Sequence, residues 1–311
     1  MHDLVIVGGG PAGAAAAIYA ARKQLKTTLI VEDWGGQSAV SSEIQNWIGT
    51  PAISGADLAD SLKKHVEAYA GTMLDIKSGT RATAIATFDD HIEITPNKGE
   101  KIEAQTALIA TGANRRTLDI PGAKEYDQKG LTYCASCDGP LFEGKDVAVI
   151  GGGNAGFETA LQLLAYCKSV TLLHRADAFR ADEISVAAAL ANPKMKAILN
   201  AEPVEVLGQQ FVSGLRYKDA KTGTETNLPV EGVFVEIGLL PNTAWVGDAL
   251  AKNKIGQIIA DPKTQRASHA RVWAAGDCTD GLYHQNNIAT GDAVKALEDV
   301  YLYLRKGTSE I

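Results

Sequence analysis

The stretches "DLVIVGGGPAGAAAAIYAARKQLKTTLIVED", residues 3–33, and "DVAVIGGGNAGFETALQLLAYCKSVTLLHRAD", residues 146–177, are two copies of one pattern. In each, a β-branched run enters a glycine turn, an alanine-rich or amphipathic segment follows, and a second apolar run closes the unit. That is the order strand, helix, parallel strand, because a crossover between parallel strands needs roughly a helix of intervening chain. Two copies predict two doubly wound α/β nucleotide-binding domains in one chain. The 311 residues and 45% hydrophobic content are enough for two cores of ordinary size.

Gly8, Gly10 and Gly13 punctuate the first turn, and Gly151, Gly153 and Gly156 the second. At this spacing the first glycine permits a tight turn, the second lets backbone approach a pyrophosphate, and the third lets helix pack on strand. The helix amino terminus then favours the negative charge. Glu32 ends the next strand of the first unit, where a carboxylate can accept hydrogen bonds from an adenosine ribose. The second unit instead ends in "HRADAFRADE", which supplies His174, Arg175 and Arg180. Guanidinium groups there suit a ribose 2'-phosphate and point to NADPH over NADH. The competing reading is an arginine pair on a solvated face.

After each unit the pattern changes to short alternating runs. "TRATAIATFDDHIEITPNKGEKIEAQTALIATGA" reads as antiparallel strands turning at Asp89-Asp90 and at Asn97-Lys98-Gly99, and "PVEVLGQQFVSGLRYKDAKTGTETNLPVEGVFVEIG" as a second meander. The closing stretch "ARVWAAGDCTDGLYHQNNIATGDAVKALEDVYLYLRK" reads as a strand, a Gly-Asp turn and a helix completing the first domain. The expected division is a discontinuous first domain, 1–114 and 243–311, and a second domain, 115–242. Hinges fall in "GANRRTLDIPG" and "IGLLPNT".

Cys134 and Cys137 flank Ala135-Ser136, a spacing at which two sulfurs can close and reopen a small ring. Asp138 follows directly, placed to shuttle a proton to a leaving thiolate. A zinc half-site is the rival, but no second Cys-x-x-Cys or close His pair completes a ligand set, so no metal is expected. Cys167 and Cys278 have no partner at motif spacing and read as packing residues. Four cysteines make no disulfide framework. A net charge of -7 with mixed signs argues against nucleic acid and membrane surfaces as partners. The chain enters a strand almost at once and holds no membrane-length apolar run, so a cytoplasmic location is expected.

With "GGGPAG", "GGQ" at 35–37, "ATG" at 110–112, "CASCDG", "GGGNAG", "HRADAFR" and "AAGDC", the chain resembles the low-molecular-weight thioredoxin reductase family over essentially its full length. "GLTYCASCDGPLFEGKDVAVIGGGNAG", "GLLPNTAW" and "IATGDA" resemble still more the flavoprotein component of alkyl hydroperoxide reductase, which carries an extra thioredoxin-like segment ahead of its flavin domain. With Met1 so near the first strand, that segment is expected to be absent and the dithiol to serve a separate protein.

The resemblance implies an FAD domain and an NAD(P)H domain, two Rossmann-like three-layer domains each with a β-meander, and a homodimer. One domain is expected to rotate about the hinges between two relay states. It implies FAD contacts at Gly8, Gly10, Pro11, Ala12, Gly13, Glu32, Gly36, Gln37, Asn46, Thr111, Gly112, Asp277 and Gln285. Nucleotide contacts are implied at Gly151, Gly153, Asn154, Ala155, His174, Arg175 and Arg180. Cys137 becomes the flavin-proximal sulfur, Cys134 the exchange sulfur and Asp138 the acid. Two departures bear on NADPH against NADH: Ala176 stands where the family has a second arginine, and Gly156 where NADPH-linked members have a small side chain. The implied activity is NADPH-dependent reduction of a thioredoxin-like protein. The alternatives are an NADH-linked reductase serving a peroxiredoxin-linked carrier, a ferredoxin-linked reductase, and a flavin-binding redox sensor.

Overall fold

Long runs of consecutive apolar residues can be stable strands only where both faces of a sheet are covered, and the central strands meet that condition. The computed structural model describes residues 1–41 and 43–306. In chain order the first elements are β1 (His2–Gly9), α1 (Pro11–Arg22), β2 (Thr27–Trp34), α2 (Gly55–Glu67) and β3 (Leu74–Ser78). They are followed by β4 (Ala82–Thr87), β5 (Ile92–Pro96), β6 (Ile102–Ile109) and β7 (Ala113–Arg115). Next come β8 (Leu131–Thr132), α3 (Ala135–Asp138), β9 (Asp146–Ile150), α4 (Asn154–Leu163), β10 (Ser169–Leu173) and α5 (Glu183–Leu190). The remainder is β11 (Met195–Ile198), β12 (Ala201–Gly208), β13 (Val212–Asp219), β14 (Glu225–Leu228), β15 (Gly232–Val235), β16 (Leu239–Pro241), β17 (Val272–Ala274) and α6 (Asn286–Lys306). The chain divides into two compact units, 1–114 with 240 onward, and 115–239.

In the first unit β3, β2, β1 and β6 run parallel, in that order. The far edge of β6 is shared: its first residues pair antiparallel with β5, its last pair parallel with β17. The antiparallel meander β4-β5-β6 is therefore continuous with the parallel sheet, and Val272–Ala274 returns to complete it. Both faces are covered. One core packs the alanines of α1 against Leu4, Ile6, Leu29, Trp273 and the α6 residues Ala293, Ala296, Leu297 and Val300. The other gathers Val5, Val7, Ile30, Ile92, Ile94, Ile109 and Val272. The alanine run in α1 lets that helix be buried nearly all round, held close to sheet and α6 alike.

In the second unit the parallel order is β11-β10-β9-β15-β8, and β12-β13-β14 forms a separate antiparallel sheet. Val147, Val149 and Phe234 face a core with Phe157, Ala160 and Leu163 of α4, while Ala148, Ile150, Val233 and Val235 face one with Val206, Val212 and Leu215 of the antiparallel strands. The two units are thus Rossmann-like α/β bodies, each with its own meander. Where the chain passes from the first unit and returns, β7 and β16 pair as a two-stranded ribbon. Asn242 ties the return to the first unit: its side-chain amide donates to the Thr111 carbonyl at 3.0 Å, and its own carbonyl accepts from Thr111 Oγ1 at 2.7 Å. Among the described residues no helix is long and apolar enough to cross a membrane.

Candidate active site

The two glycine turns agree closely at their first and last glycines. Gly8 has φ +130° and Gly151 +128°. A Cβ on Gly8 would stand 2.1 Å from the Ala110 carbonyl oxygen, and one on Gly151 2.1 Å from that of Glu236. A Cβ on Gly13 would stand 1.8 Å from the Gly8 carbonyl oxygen, one on Gly156 1.8 Å from that of Gly151. Each turn presses against the next parallel strand on one side and against its own helix on the other, so a side chain at these positions meets backbone.

Gly10 and Gly153 differ in kind. They sit at the amino ends of α1 and α4, where no side chain caps the helix, and a Cβ at Gly153 would meet open space. A Cβ on Gly10 would face only the backbone of Gly36, at 3.8 Å. Both helix ends therefore offer amide hydrogens and bare backbone, the surroundings a pyrophosphate takes.

Around the first turn the carboxyl ends of β1 and β6 gather the expected residues of the first unit. Pro11 is the first residue of α1, and Ala12 lies against Gly276, whose notional Cβ is 3.5 Å from the Ala12 Cβ. Gly276 positions its neighbour Asp277, whose carboxylate accepts from the Gln37 side chain at 3.3 Å. The Asn46 side chain donates to Gln285 at 3.1 Å, and Asn287 donates back to the Asn46 carbonyl at 2.7 Å. Thr111 and Gly112 follow β6 and hold Asn242, whose backbone N–H donates to Gly112 at 3.0 Å. These bonds stitch the chain on either side of Gln37 and Asn46 to the segment that opens α6. Glu32 stands exposed on β2, 3.8 Å from Arg81, with its carboxylate accessible to a ligand. A rim of bare glycine backbone, amide side chains and one strand-end carboxylate fits a dinucleotide such as FAD.

Around the second turn Asn154 and Ala155 are exposed at the start of α4, and the Asn154 side chain accepts from the Asp182 N–H at 2.9 Å. His174 is placed differently from a surface phosphate ligand. It is buried, and its Nδ1 accepts from the Gly152 N–H at 3.1 Å, so the imidazole braces the glycine turn from below. Burial first, then the charges of Arg180 and Arg175, lower its pKa against a backbone hydrogen bond at Ala178. His174 is therefore neutral, and the positive charge at this strand end is carried by Arg175 and Arg180, both exposed.

Cys134 and Cys137 are joined as a disulfide, with 5.3 Å between their Cα atoms. The pair follows β8 directly, so it lies at the carboxyl edge of the same sheet that carries the Gly151 turn. Cys134 stands at the amino end of the short α3, and Cys137 is within it. Cys134 is buried and Cys137 half-buried.

Asp138 is 9% exposed, and burial pushes its carboxyl above the ordinary value, partly opposed by a hydrogen bond from Thr132 and by the Arg115 charge. Thr132 joins the two ends of the motif: its hydroxyl donates to the Asp138 carboxylate and accepts the Cys134 N–H at 3.2 Å. No spacing rule singles out that threonine; only the fold shows its hydroxyl between cysteine and acid. Burial pushes the thiols of Cys167 and Cys278 up to about 11, so neither offers a thiolate near neutral pH.

The chain matches the pyridine nucleotide-disulphide oxidoreductase family over residues 2–293. It belongs to that family. It is 43% identical over 304 residues to a component of the alkyl hydroperoxide reductase of Escherichia coli (strain K12), and 41% identical over 302 residues to a protein named NADH dehydrogenase of Bacillus subtilis (strain 168). Each comparison covers 97% of this chain and 58% of the relative, so the chain spans little more than half the length of these curated relatives. Among solved structures, thioredoxin reductase from Giardia duodenalis superimposes with a TM-score of 0.92 at 32% identity. That from Streptococcus pyogenes MGAS5005 does so with a TM-score of 0.89 at 35% identity. Each of these covers 98% of this chain and 99% of the other. The chain is thus a member of the pyridine nucleotide-disulphide oxidoreductase family, a flavin-dependent family, and is built like thioredoxin reductases.

Proposed function

We propose that this chain is an FAD-dependent disulfide reductase that takes electrons from NADPH and delivers them, through Cys134 and Cys137, to the disulfide of a thioredoxin-like protein. The observation that carries the reading is the Cys134–Cys137 disulfide at the sheet edge shared with the second glycine turn. The first-unit residues around Gly8, Gly36, Asn46 and Asp277 would hold FAD, which when bound would supply the exchange between a hydride and an electron pair for a disulfide.

This chain's own residues then account for sulfur and protons. Two electrons and two protons convert the Cys134–Cys137 disulfide into two thiols. The Cys134 thiolate attacks one sulfur of the partner's disulfide, forming a mixed disulfide and releasing a partner thiolate. Cys137 then attacks Cys134, restoring the ring and freeing the partner as a dithiol, so atoms and electrons balance. Asp138 holds the proton for the leaving sulfur. Because burial raises its pKa, the acid form persists above its ordinary 3.8, and proton donation is lost as pH rises through the raised value. Asp138→Asn is expected to lower kcat about 100-fold and to abolish that pH limb, read from stopped-flow dithiol exchange across the pH range.

Arg175 and Arg180 support NADPH through the 2'-phosphate. A second reading, an NADH-linked reductase of a peroxiredoxin-type carrier, is favoured by the 41–43% identity to the curated relatives and by the neutral, buried His174. Steady-state reduction of a thioredoxin and of a peroxiredoxin-type disulfide, with NADPH and NADH in turn, separates the readings. A kcat/KM at least tenfold higher with NADH overturns the NADPH assignment, and no disulfide reduction with either nucleotide overturns the proposal itself.

A further inference from the structure

The carboxyl edge of the second sheet holds an acid that belongs to neither glycine motif nor cysteine motif. Glu236 follows β15 directly, and its carbonyl oxygen lies 2.1 Å from where a Cβ on Gly151 would stand. With β10 on one side of β9 and β15 on the other, the gap between β9 and β15 is where the winding reverses. Dinucleotides lie across such a point. Arg175 and Arg180 at the end of β10 mark the adenosine side, which leaves the β15 side, with Glu236, for the nicotinamide half.

The side chain is half-buried and held. One carboxyl oxygen accepts from Thr159 Oγ1 of α4 at 2.8 Å, and the other has no hydrogen-bond partner among the described residues. Burial pushes the carboxyl up to about 7, with the Thr159 bond and the Arg115 charge opposing the rise and Glu158 adding to it. Arg115 and Glu158 are the charged groups that act on it.

The two oxidation states of nicotinamide differ in charge: the oxidised ring is a cation and the reduced ring is neutral. We propose that Glu236 reads this difference, its carboxylate stabilising the oxidised nucleotide and leaving the reduced one unaffected. The inference rests on the nicotinamide reading given above. The sign follows from linkage: a bound cation favours the ionised acid, so binding of the oxidised nucleotide releases a proton and tightens as pH rises through about 7. At lower pH the acid is neutral and the distinction is lost. Product release therefore slows on the alkaline side.

The test is calorimetric titration of the FAD-loaded, disulfide-form protein with NADP+ and with tetrahydro-NADP, whose ring is neutral and cannot donate hydride. NAD+ and its tetrahydro form are run alongside. Taking the ratio within one nucleotide cancels titration of the 2'-phosphate and of His174. From about pH 6 to about pH 8 the preference for the oxidised form is expected to rise on the order of tenfold. In Glu236→Gln the ratio is expected to be flat, with affinity for the neutral analogue retained. Thr159→Val removes the bond that favours ionisation, so its transition is expected to move to higher pH, a shift a merely structural role does not produce. A ratio independent of pH in the native protein, or a slope that survives in Glu236→Gln, overturns the inference while leaving the proposed function standing. Failure of every nucleotide to bind at any pH overturns both.

Discussion

Turnover of a protein disulfide is expected to fall on the order of a thousandfold or more when either Cys134 or Cys137 becomes serine, because neither half of the exchange survives without its sulfur. The two variants are not equivalent. With Cys134 as the exchange sulfur, Cys137→Ser still attacks a partner disulfide but cannot resolve the product, so a mixed disulfide with the partner accumulates. Cys134→Ser forms none. Non-reducing electrophoresis after incubation of each reduced variant with an oxidised thioredoxin reads the difference. Adduct from Cys134→Ser alone would reverse the roles, and the greater exposure of Cys137 in the disulfide form makes that outcome worth measuring. Unchanged turnover in either variant would remove the disulfide from the reaction.

The second large effect comes from adding one carbon to a glycine turn. Gly13→Ala and Gly156→Ala each drive a Cβ to 1.8 Å from a carbonyl oxygen of their own turn. The obstacle is backbone, so relief requires the turn and the first residues of its helix to separate. Each substitution is expected to destabilise its own unit by about 3 kcal/mol. Their functional consequences should part. Gly13→Ala loses flavin, seen as a low ratio of flavin absorbance to protein after purification. Gly156→Ala keeps its flavin and binds nicotinamide nucleotide at least tenfold more weakly. Gly156→Ala with native affinity would show that the second turn adapts, and a joint loss of both ligands would contradict two separately built sites.

Much of this architecture is legible in the residues. "LVIVGGG" and "VAVIGGG" are apolar runs that fit only strands covered on both faces, and the glycines that follow are required by backbone contacts to a neighbouring strand or helix. The dithiol was legible too, because its spacing is a local property. What escaped the sequence depends on pairings between distant segments. Glu236 meets the Gly151 turn only because β15 inserts beside β9, and no periodicity within "GVFVEIG" announces which strand it will border. His174 has the composition of a phosphate ligand, yet β10 places its ring beneath Gly152. Thr132 looks like an ordinary strand residue until the turn into α3 brings Asp138 back to its hydroxyl. The split edge of β6, half antiparallel and half parallel, likewise requires a segment from the far end of the chain.

Cys167 and Cys278 are sealed in the cores of their respective units, their thiols held near pKa 11. A thiol-selective alkylating reagent at neutral pH therefore finds reactive thiols only at Cys134 and Cys137, and only when that pair is reduced. The protein carries a built-in gauge of its own electron content: the number of labels acquired per chain states how many of its working sulfurs hold electrons at the moment of quenching.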